Sequence, residues 1–258
     1  MSEELEKKSE TAVTSIRGSD RGRGHEDLVQ REDLMIPRSL IIQYTPPKSS
    51  AYDENKHRPG MLVNSVTMEE LPMDTDKFVR FIPIKRSAEW VRFNPQDENH
   101  PDFNKDFEPG AVIWKSSDPD DSRVIEEGAW GKDNSAPKAT KFINYLSYIP
   151  GHDMPIVISF AKTSFVAGKK LTTMSQAAGG DMFDWAYKVR TAQQQNEKKQ
   201  KYYVLTVDKA GKATDEEFKR AEEYYNMFSG VSLNIHEPAS VSEEDATATG
   251  KAPKKEWE

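Results

Sequence analysis

The apolar residues of this chain occur in short runs of strand length, and each run is bounded by Pro, Gly, Asn, Asp or other polar residues. Short apolar runs with such borders are typical of β-strands. We expect strands at residues 38–44, 61–66, 78–84, 89–93, 112–114, 156–160, 185–191 and 201–207. Pro83 lies inside one of these runs and predicts a bulge or an edge position there. No run approaches the roughly 20 residues of a membrane-spanning helix.

Three segments carry helix signals. Residues 142–149 repeat apolar side chains at the spacing of one helical face and are followed by Pro and Gly, which predicts a helix. A second helix is expected to begin at Thr163–Ser164, as N-terminal caps, and to end before Gly179–Gly180. A third is expected to begin at Thr214, because Glu217 completes a capping box with it, and to continue to about residue 228.

These segments together predict a strand-rich α+β fold. Their order along the chain is compatible with a five-stranded OB-like barrel, the oligonucleotide-binding type, with inserted helices, and also with other mixed sheets. Polar residues dominate both ends of the chain. We therefore expect a disordered N-terminal arm at 1–30, a single core domain at 31–237 and a flexible C-terminal tail at 238–258.

The net charge of −7 is unevenly distributed. Residues 1–137 carry 19 basic and 27 acidic side chains, and residues 221–258 carry 3 basic and 8 acidic ones. The middle, residues 138–220, carries 14 basic and only 8 acidic side chains. A basic middle between acidic flanks favours an anionic ligand. Chance clustering of surface lysines accounts for the same pattern equally well.

The chain contains no cysteine, which excludes disulfides, thiolate zinc sites and a cysteine nucleophile and is typical of a cytoplasmic protein. A nucleotide-hydrolase loop is excluded, because Ala167–Lys170 lacks the Ser or Thr that follows Gly-Lys in such loops. The five histidines are scattered and show no metal-ligand spacing. We expect no enzymatic activity, cofactor or metal. One alternative is a metal-dependent nuclease that uses Asp118, Asp120 and Asp121.

Aromatic and basic residues alternate in several predicted strands. Residues i and i+2 of a strand share a face, so Trp90 lies with Arg92, and Lys188 lies with Arg190 on the face opposite Tyr187. Lysines and arginines that contact phosphates, beside rings that stack on bases, are typical of single-strand binding. The candidate nucleic-acid-binding residues are Arg80, Lys85, Arg86, Trp90, Arg92, Lys162, Lys169, Lys170, Lys188, Arg190 and Tyr202. The alternative is that the rings fill the core and the charges face water.

The two ends of the chain carry weaker signals. Arg17, Arg21 and Arg23 alternate with glycines, a pattern that occurs in segments that follow a phosphate backbone and in plain linkers. The C-terminal tail is acidic, although it contains three lysines, and it ends in Glu256–Glu258 around a tryptophan. Such a tail can occupy a basic groove or dock on a partner protein.

The layout of residues 31–258 resembles that of phage single-stranded-DNA-binding proteins, in which an OB-type barrel precedes an acidic tail that ends in an aromatic residue. Residues Pro155–Leu171 (PIVISFAKTSFVAGKKL) are also similar to a segment found in proteins of tailed phages. The resemblance implies non-sequence-specific binding of single-stranded DNA during phage DNA replication and recombination, in the host cytoplasm. It also implies replication or recombination proteins as partners of the tail and is compatible with a homo-oligomer. The alternative is a phage structural or host-interaction protein without nucleic-acid affinity.

Overall fold

A computed structural model of the chain describes residues 36–45, 47, 49–132, 135–196 and 199–230. The predicted N-terminal arm and C-terminal tail, at 1–30 and 238–258, lie outside the described residues, as does the arginine–glycine cluster. Within the described ranges the fold is mixed α+β and rich in strands. The predicted fold class is therefore confirmed at this level.

The described residues form eight strands and three helices. The strands are β1 (Ser39–Ile41), β2 (Leu62–Asn64), β3 (Val79–Phe93), β4 (Val112–Ser116), β5 (Thr140–Tyr148), β6 (Ile156–Ala161), β7 (Trp185–Gln195) and β8 (Lys201–Lys212). The helices are α1 (Ser122–Glu127), α2 (Phe165–Ala178) and α3 (Asp215–Met227), with short 3-10 turns at Lys162–Ser164 and Met182–Asp184. The helix α1, with Asp121 as its N-cap, was not predicted.

Six strands form one antiparallel sheet in the order β6-β5-β3-β7-β8, with β4 also paired to β3. The strands β1 and β2 form a separate antiparallel pair. The terminal strands of the main sheet, β6 and β8, do not pair with each other among the described residues. Closure of a five-stranded barrel is therefore not detected, and the sheet has six strands.

The strand β3 is the centre of the sheet and joins two segments that the sequence predicts as separate strands. Its first residues, Val79–Phe81, pair with β7, while Ile82–Val91 pair with β5 and Trp90–Phe93 pair with β4. The register shifts between Pro83 and Lys85. This irregularity confirms the bulge predicted at Pro83, a residue that cannot donate a main-chain hydrogen bond.

The prediction of a helix at residues 142–149 is wrong, because this segment forms the strand β5. The strand is buried on both faces. Tyr145 projects into one hydrophobic cluster and Leu146 into another. Neighbouring residues that are both buried produce apolar spacings of three and four residues, which imitate one face of a helix.

Two hydrophobic clusters enclose the central strands. The first packs β5, β6, β7 and β8 against α2, and Tyr145, Phe160, Leu171 and Tyr187 are fully buried within it. The second packs the other face of β3 and β5 against α3, where the Tyr148 and Tyr224 rings lie 6.0 Å apart. The helices α2 and α3 therefore cover different parts of the sheet and leave its rims open.

The helix α2 approaches the sheet closely at Gly168. A Cβ atom on Gly168 would lie 2.6 Å from Cβ of Phe160, a distance that real Cβ atoms do not adopt. Leu171 is buried one turn later. Ser164 precedes the helix without a side-chain cap, because its Oγ accepts a hydrogen bond from the Leu205 amide of β8 at 3.0 Å. Ser164 is therefore the N-cap residue, as predicted, but its hydroxyl joins the helix to the sheet and does not cap the helix.

We expect Gly168→Ala to lower the free energy of unfolding by up to about 2 kcal/mol. Overpacking against Phe160 costs about 1–3 kcal/mol, which exceeds the gain of about 1 kcal/mol in helix propensity. Urea unfolding monitored by circular dichroism measures the difference. The control is Val166→Ala on the same helix, where the side chain is 75% exposed and the change should stay within about 0.5 kcal/mol. A stabilised Gly168→Ala variant would show that propensity, not packing, governs this position.

Candidate functional site

An open depression lies where β3, β5 and α2 meet. Its three cationic side chains are Arg86, Lys141 and Lys169, and no carboxylate lines it. Ile143 and Phe165 supply apolar surface. The complete lining consists of Arg86, Lys141, Ile143, Phe165, Lys169, Thr172 and Thr173. We call this feature the basic depression.

The β3–β5 ladder places two of these cations on one face. Arg86 is paired with Tyr145, and Lys141 is paired with Trp90. Directly opposed residues project from the same face of a sheet, so Arg86 and Lys141 lie on the face that also buries Tyr145. The helix α2 packs on this face through Gly168 and brings Lys169 to the same rim.

Lys141 is a partly buried cation of the basic depression whose pKa is lowered. Its side chain is half-buried, and its ammonium lies 4.4 Å from the centre of the Trp90 ring. Burial lowers the pKa of Lys141, and the positive charge of Arg86 lowers it further. A bound anion would relieve both effects, because it offsets the desolvation and separates the like charges. Perturbed groups of this kind mark candidate functional sites.

The threonines support the wall of the basic depression. The Thr172 hydroxyl lies 2.7 Å from the Tyr145 hydroxyl and donates to the Gly168 carbonyl at 3.0 Å. The Thr173 hydroxyl donates to the Lys169 carbonyl at 3.1 Å. Burial raises the pKa of Tyr145, while its hydrogen bond with Thr172 opposes that shift. Since these hydroxyls already have partners, the cations are the principal groups available to a ligand.

Two candidate residues of β3 lie away from the basic depression. Arg80 forms a two-pronged ion pair with Glu217 of α3, with Nε–Oε1 at 2.7 Å and Nη2–Oε2 at 3.0 Å. Lys85 is paired with Leu146, and Leu146 belongs to the hydrophobic cluster under α3. Lys85 therefore projects from the face opposite to Arg86.

Trp90 and Arg92 do not offer the open surface that the sequence predicts. The Trp90 ring is buried in a cluster with Val124. The Arg92 side chain is also largely buried, where its Nε lies 3.6 Å from Oε2 of Glu127 and its Nη1 donates to the Lys138 carbonyl at 3.2 Å. Both residues are packed inside the protein, so we remove them from the candidate interface.

The lysines near α2 are exposed. Lys162 lies in the turn before the helix, with a positive φ of 47°. Lys170 lies on α2, and its Nζ is 2.5 Å from Oδ1 of Asp208 in β8. Exposed ion pairs of this kind contribute little to stability. Lys170 can therefore exchange its carboxylate partner for another anion.

Lys188 and Arg190 form a second basic surface on β7. As predicted, they lie opposite Tyr187 and Val189, which are buried in the first hydrophobic cluster. Both cations lie over the Phe78 ring, at 4.4 Å and 4.7 Å from its centre. The structure thus divides the candidate residues between the basic depression and this outer face of the β7–β8 hairpin.

The remaining aromatic candidate, Tyr202, is half-buried, and its hydroxyl donates to Oε1 of Gln194 at 3.2 Å. Sequence reasoning missed Lys141, because the segment around it was interpreted as a helix. Its alternation with Ile143 and Tyr145 was the available signal, since residues two apart share a face only in a strand.

The acidic turn does not bring ligands together for a metal. Asp118 accepts a hydrogen bond from the Asp120 amide. Asp121 caps α1 and pairs with Arg123 at 2.7 Å, which holds the pKa of its carboxyl well below the usual range. Among the described residues, no three His, Asp or Glu side chains converge on a metal position. The nuclease alternative has no supporting geometry there.

The model of one family, the Pam3 phage gp34-like proteins, matches residues 6–234. No curated protein and no solved structure matches the chain significantly. In the described part of the chain, no helix combines the length and the apolar character needed to span a bilayer.

We expect Arg86→Gln to raise the pKa of Lys141 part of the way toward its ordinary value. The substitution removes the repulsion between two cations, while the burial of Lys141 remains. An NMR titration that follows the side-chain nitrogen of Lys141 measures the change. Arg220→Gln, on the distant helix α3, is the matched control and should leave the pKa of Lys141 unchanged. An equal pKa in wild type and Arg86→Gln would contradict the electrostatic coupling.

A second prediction concerns the ion pair between α3 and β3. Arg80 lowers the pKa of Glu217, chiefly through their hydrogen bond, so the stabilisation is complete above the unfolded value of about 4.3 and is lost as pH falls through the folded value. Glu217→Gln keeps a side chain that can complete the capping box with Thr214. We expect it to lower the free energy of unfolding by about 1–2 kcal/mol at about pH 7, and by much less at about pH 3.

Chemical denaturation at the two pH values measures this difference. Glu216→Gln is the control, because Glu216 is exposed in the same helical turn and should change stability by less than about 0.5 kcal/mol. A Glu217→Gln effect that stays constant between the two pH values would show that the ion pair with Arg80 does not cause it.

Proposed function

The chain belongs to the family of Pam3 phage gp34-like proteins, and on this premise we propose that it binds single-stranded DNA without sequence specificity during phage DNA replication or recombination. The observation that supports the proposal is the convergence of Arg86, Lys141 and Lys169 in a depression without a carboxylate. Phosphates of a nucleic acid are the anions that such a surface suits best. The proposed activity is binding alone, with no catalysis and no cofactor.

The mixed lining of the basic depression favours a single strand. Cations contact phosphates, while the apolar surfaces of Ile143 and Phe165 suit the sugars and bases that an unpaired strand exposes. Lys162 and Lys170 extend the positive surface along α2. Lys188 and Arg190 add a second contact region on the outer face of β7. Sequence-tolerant binding follows from this chemistry, because phosphate contacts carry no base information.

The proposal also includes an OB-like arrangement of the sheet and a role for the acidic C-terminal tail. The antiparallel order of six strands around a central β3 supports the OB-like arrangement. The five acidic residues between 238 and 258 support the role of the tail, with replication or recombination proteins as partners and the host cytoplasm as the location.

A second candidate function is that of a phage structural or host-interaction protein. The exposure of two large apolar side chains supports this alternative: Ile125 is 63% exposed and Trp130 is 69% exposed. Large apolar side chains exposed close together in sequence are typical of protein–protein contacts. This candidate predicts a partner or self-interface that Trp130→Ala weakens, and no affinity for nucleic acid.

Titration of a labelled single-stranded oligonucleotide at several salt concentrations tests the proposed function. We expect the affinity to fall steeply with salt, because binding releases counterions. Arg86→Gln and Lys141→Gln should each weaken binding about tenfold at low salt, and each should reduce the slope of log affinity against log salt by about 0.7. Lys219→Gln, an exposed charge on α3, is the matched control.

The titration is made with the full chain and with a chain that ends at Pro238. No binding of either form at low salt would overturn the proposal and leave the protein-partner function. Wild-type affinity in both depression variants would exclude the basic depression as the interface. Equal affinity for duplex and single strand would exclude the preference for unpaired DNA.

A further inference from the structure

Two tyrosines from distant parts of the chain stack on each other at the end of the β7–β8 hairpin. Tyr44 follows β1, and Tyr203 lies in β8. Their ring centres are 5.8 Å apart and their planes differ by 29°. This is the offset stacking that aromatic pairs prefer. The pair lies outside the candidate set predicted from the sequence.

Tyr203 is held rigidly from two sides. The side-chain amide of Gln43 donates to the Tyr203 carbonyl and accepts from the Tyr203 amide, both at 2.9 Å, as a neighbouring strand would. Gly60 lies against the Tyr203 ring, where a Cβ atom would be 2.6 Å from the ring. Gly60 also has a φ of +95°, a conformation that disfavours other residues. The Tyr203 ring of the stack is therefore fixed in position.

Tyr44 is the open ring of the stack. Its side chain is 50% exposed, while Tyr203 stacks on one face of its ring. The Tyr44 hydroxyl accepts a hydrogen bond from the side-chain amide of Gln193 at 2.5 Å and raises the pKa of Tyr203 through a further hydrogen bond. Tyr44 is thus a flat aromatic surface that is both exposed and oriented.

Polar and basic side chains lie on the same face of the β7–β8 hairpin as Tyr203. Lys201 shares the face of Tyr203, because the two residues are two positions apart in β8, and it is exposed. Gln193 and Gln195 are also exposed, opposite Tyr203 and Lys201 in the hairpin. An aromatic face can stack on the π-face of a base, and a cation can contact its phosphate. Side-chain amides can hydrogen-bond to the polar edge of the base.

We infer that Tyr44, supported by Tyr203, is a stacking platform for one unpaired nucleobase. The inference rests on the proposed function and adds a contact with a base to the phosphate contacts of the basic depression. It also moves the aromatic contact away from Trp90, whose ring is buried. Stacking does not discriminate strongly among bases, because every base has a π-face.

The experiment separates stacking from charge. The variants are Tyr44→Ala and Tyr44→Phe, and the control is Tyr225→Ala, a tyrosine on α3 that is 45% exposed. Each binds an oligothymidylate and an abasic oligonucleotide with the same number of phosphates. We expect Tyr44→Ala to weaken oligothymidylate binding roughly 5- to 100-fold, the range of one stacked base, with an unchanged salt slope. Tyr44→Phe and Tyr225→Ala should bind like wild type.

The abasic strand should bind wild type and Tyr44→Ala equally. Wild-type affinity of Tyr44→Ala for oligothymidylate would overturn the platform and leave the proposed function intact. An equal loss on both strands would also overturn it, because the ring would then act without a base. If wild type binds neither strand, the proposed function and the platform fail together. Circular dichroism tests whether Tyr44→Ala is folded. Tyr44→Phe retains the aromatic ring, so its affinity can be interpreted even if Tyr44→Ala does not fold.

Discussion

The strand β5 is buried on both faces from Ile143 to Ser147, and the rest of the structure depends on this constraint. Tyr145 and Leu146 point in opposite directions and each enters a separate hydrophobic cluster. One face needs α2 as a cover and the other needs α3, because apolar surface on either side must leave water. The close approach at Gly168 determines the distance of α2 from β5 and β6. It therefore also determines the position of Lys169 in the basic depression.

The charges of the protein divide into two groups with different roles. Arg80 and Arg92 each lie within 4 Å of a carboxylate, Glu217 and Glu127 respectively, and help join elements of the fold. Arg86, Lys141 and Lys169 instead share a depression with no carboxylate in its lining. The positive charge of Arg86 lowers the pKa of Lys141, and a bound anion would offset this repulsion. The same residue types therefore serve stability in one place and binding in the other.

The sequence predicted the elements whose signals are local. Each segment predicted as a strand lies at least partly in one, and the end of α2 before Gly179 and the capping box that begins α3 are confirmed. Each depends on residues that are near one another in the chain. The segment 142–149 was interpreted wrongly because periodicity does not distinguish a helix from a strand that is covered on both sides. That information lies in α2 and α3, which are distant in sequence.

The sequence by itself determined which residue types are available to a site, including the basic middle of the chain and the alternation of Lys188 and Arg190 with buried residues. Only the tertiary structure decided which of them meet. It buried Trp90, paired Arg80 with Glu217 and joined Tyr44 to Tyr203 across 159 positions of chain. The physical reason is that burial and proximity depend on how helices pack on the sheet, whereas the sequence specifies only the face from which each side chain projects.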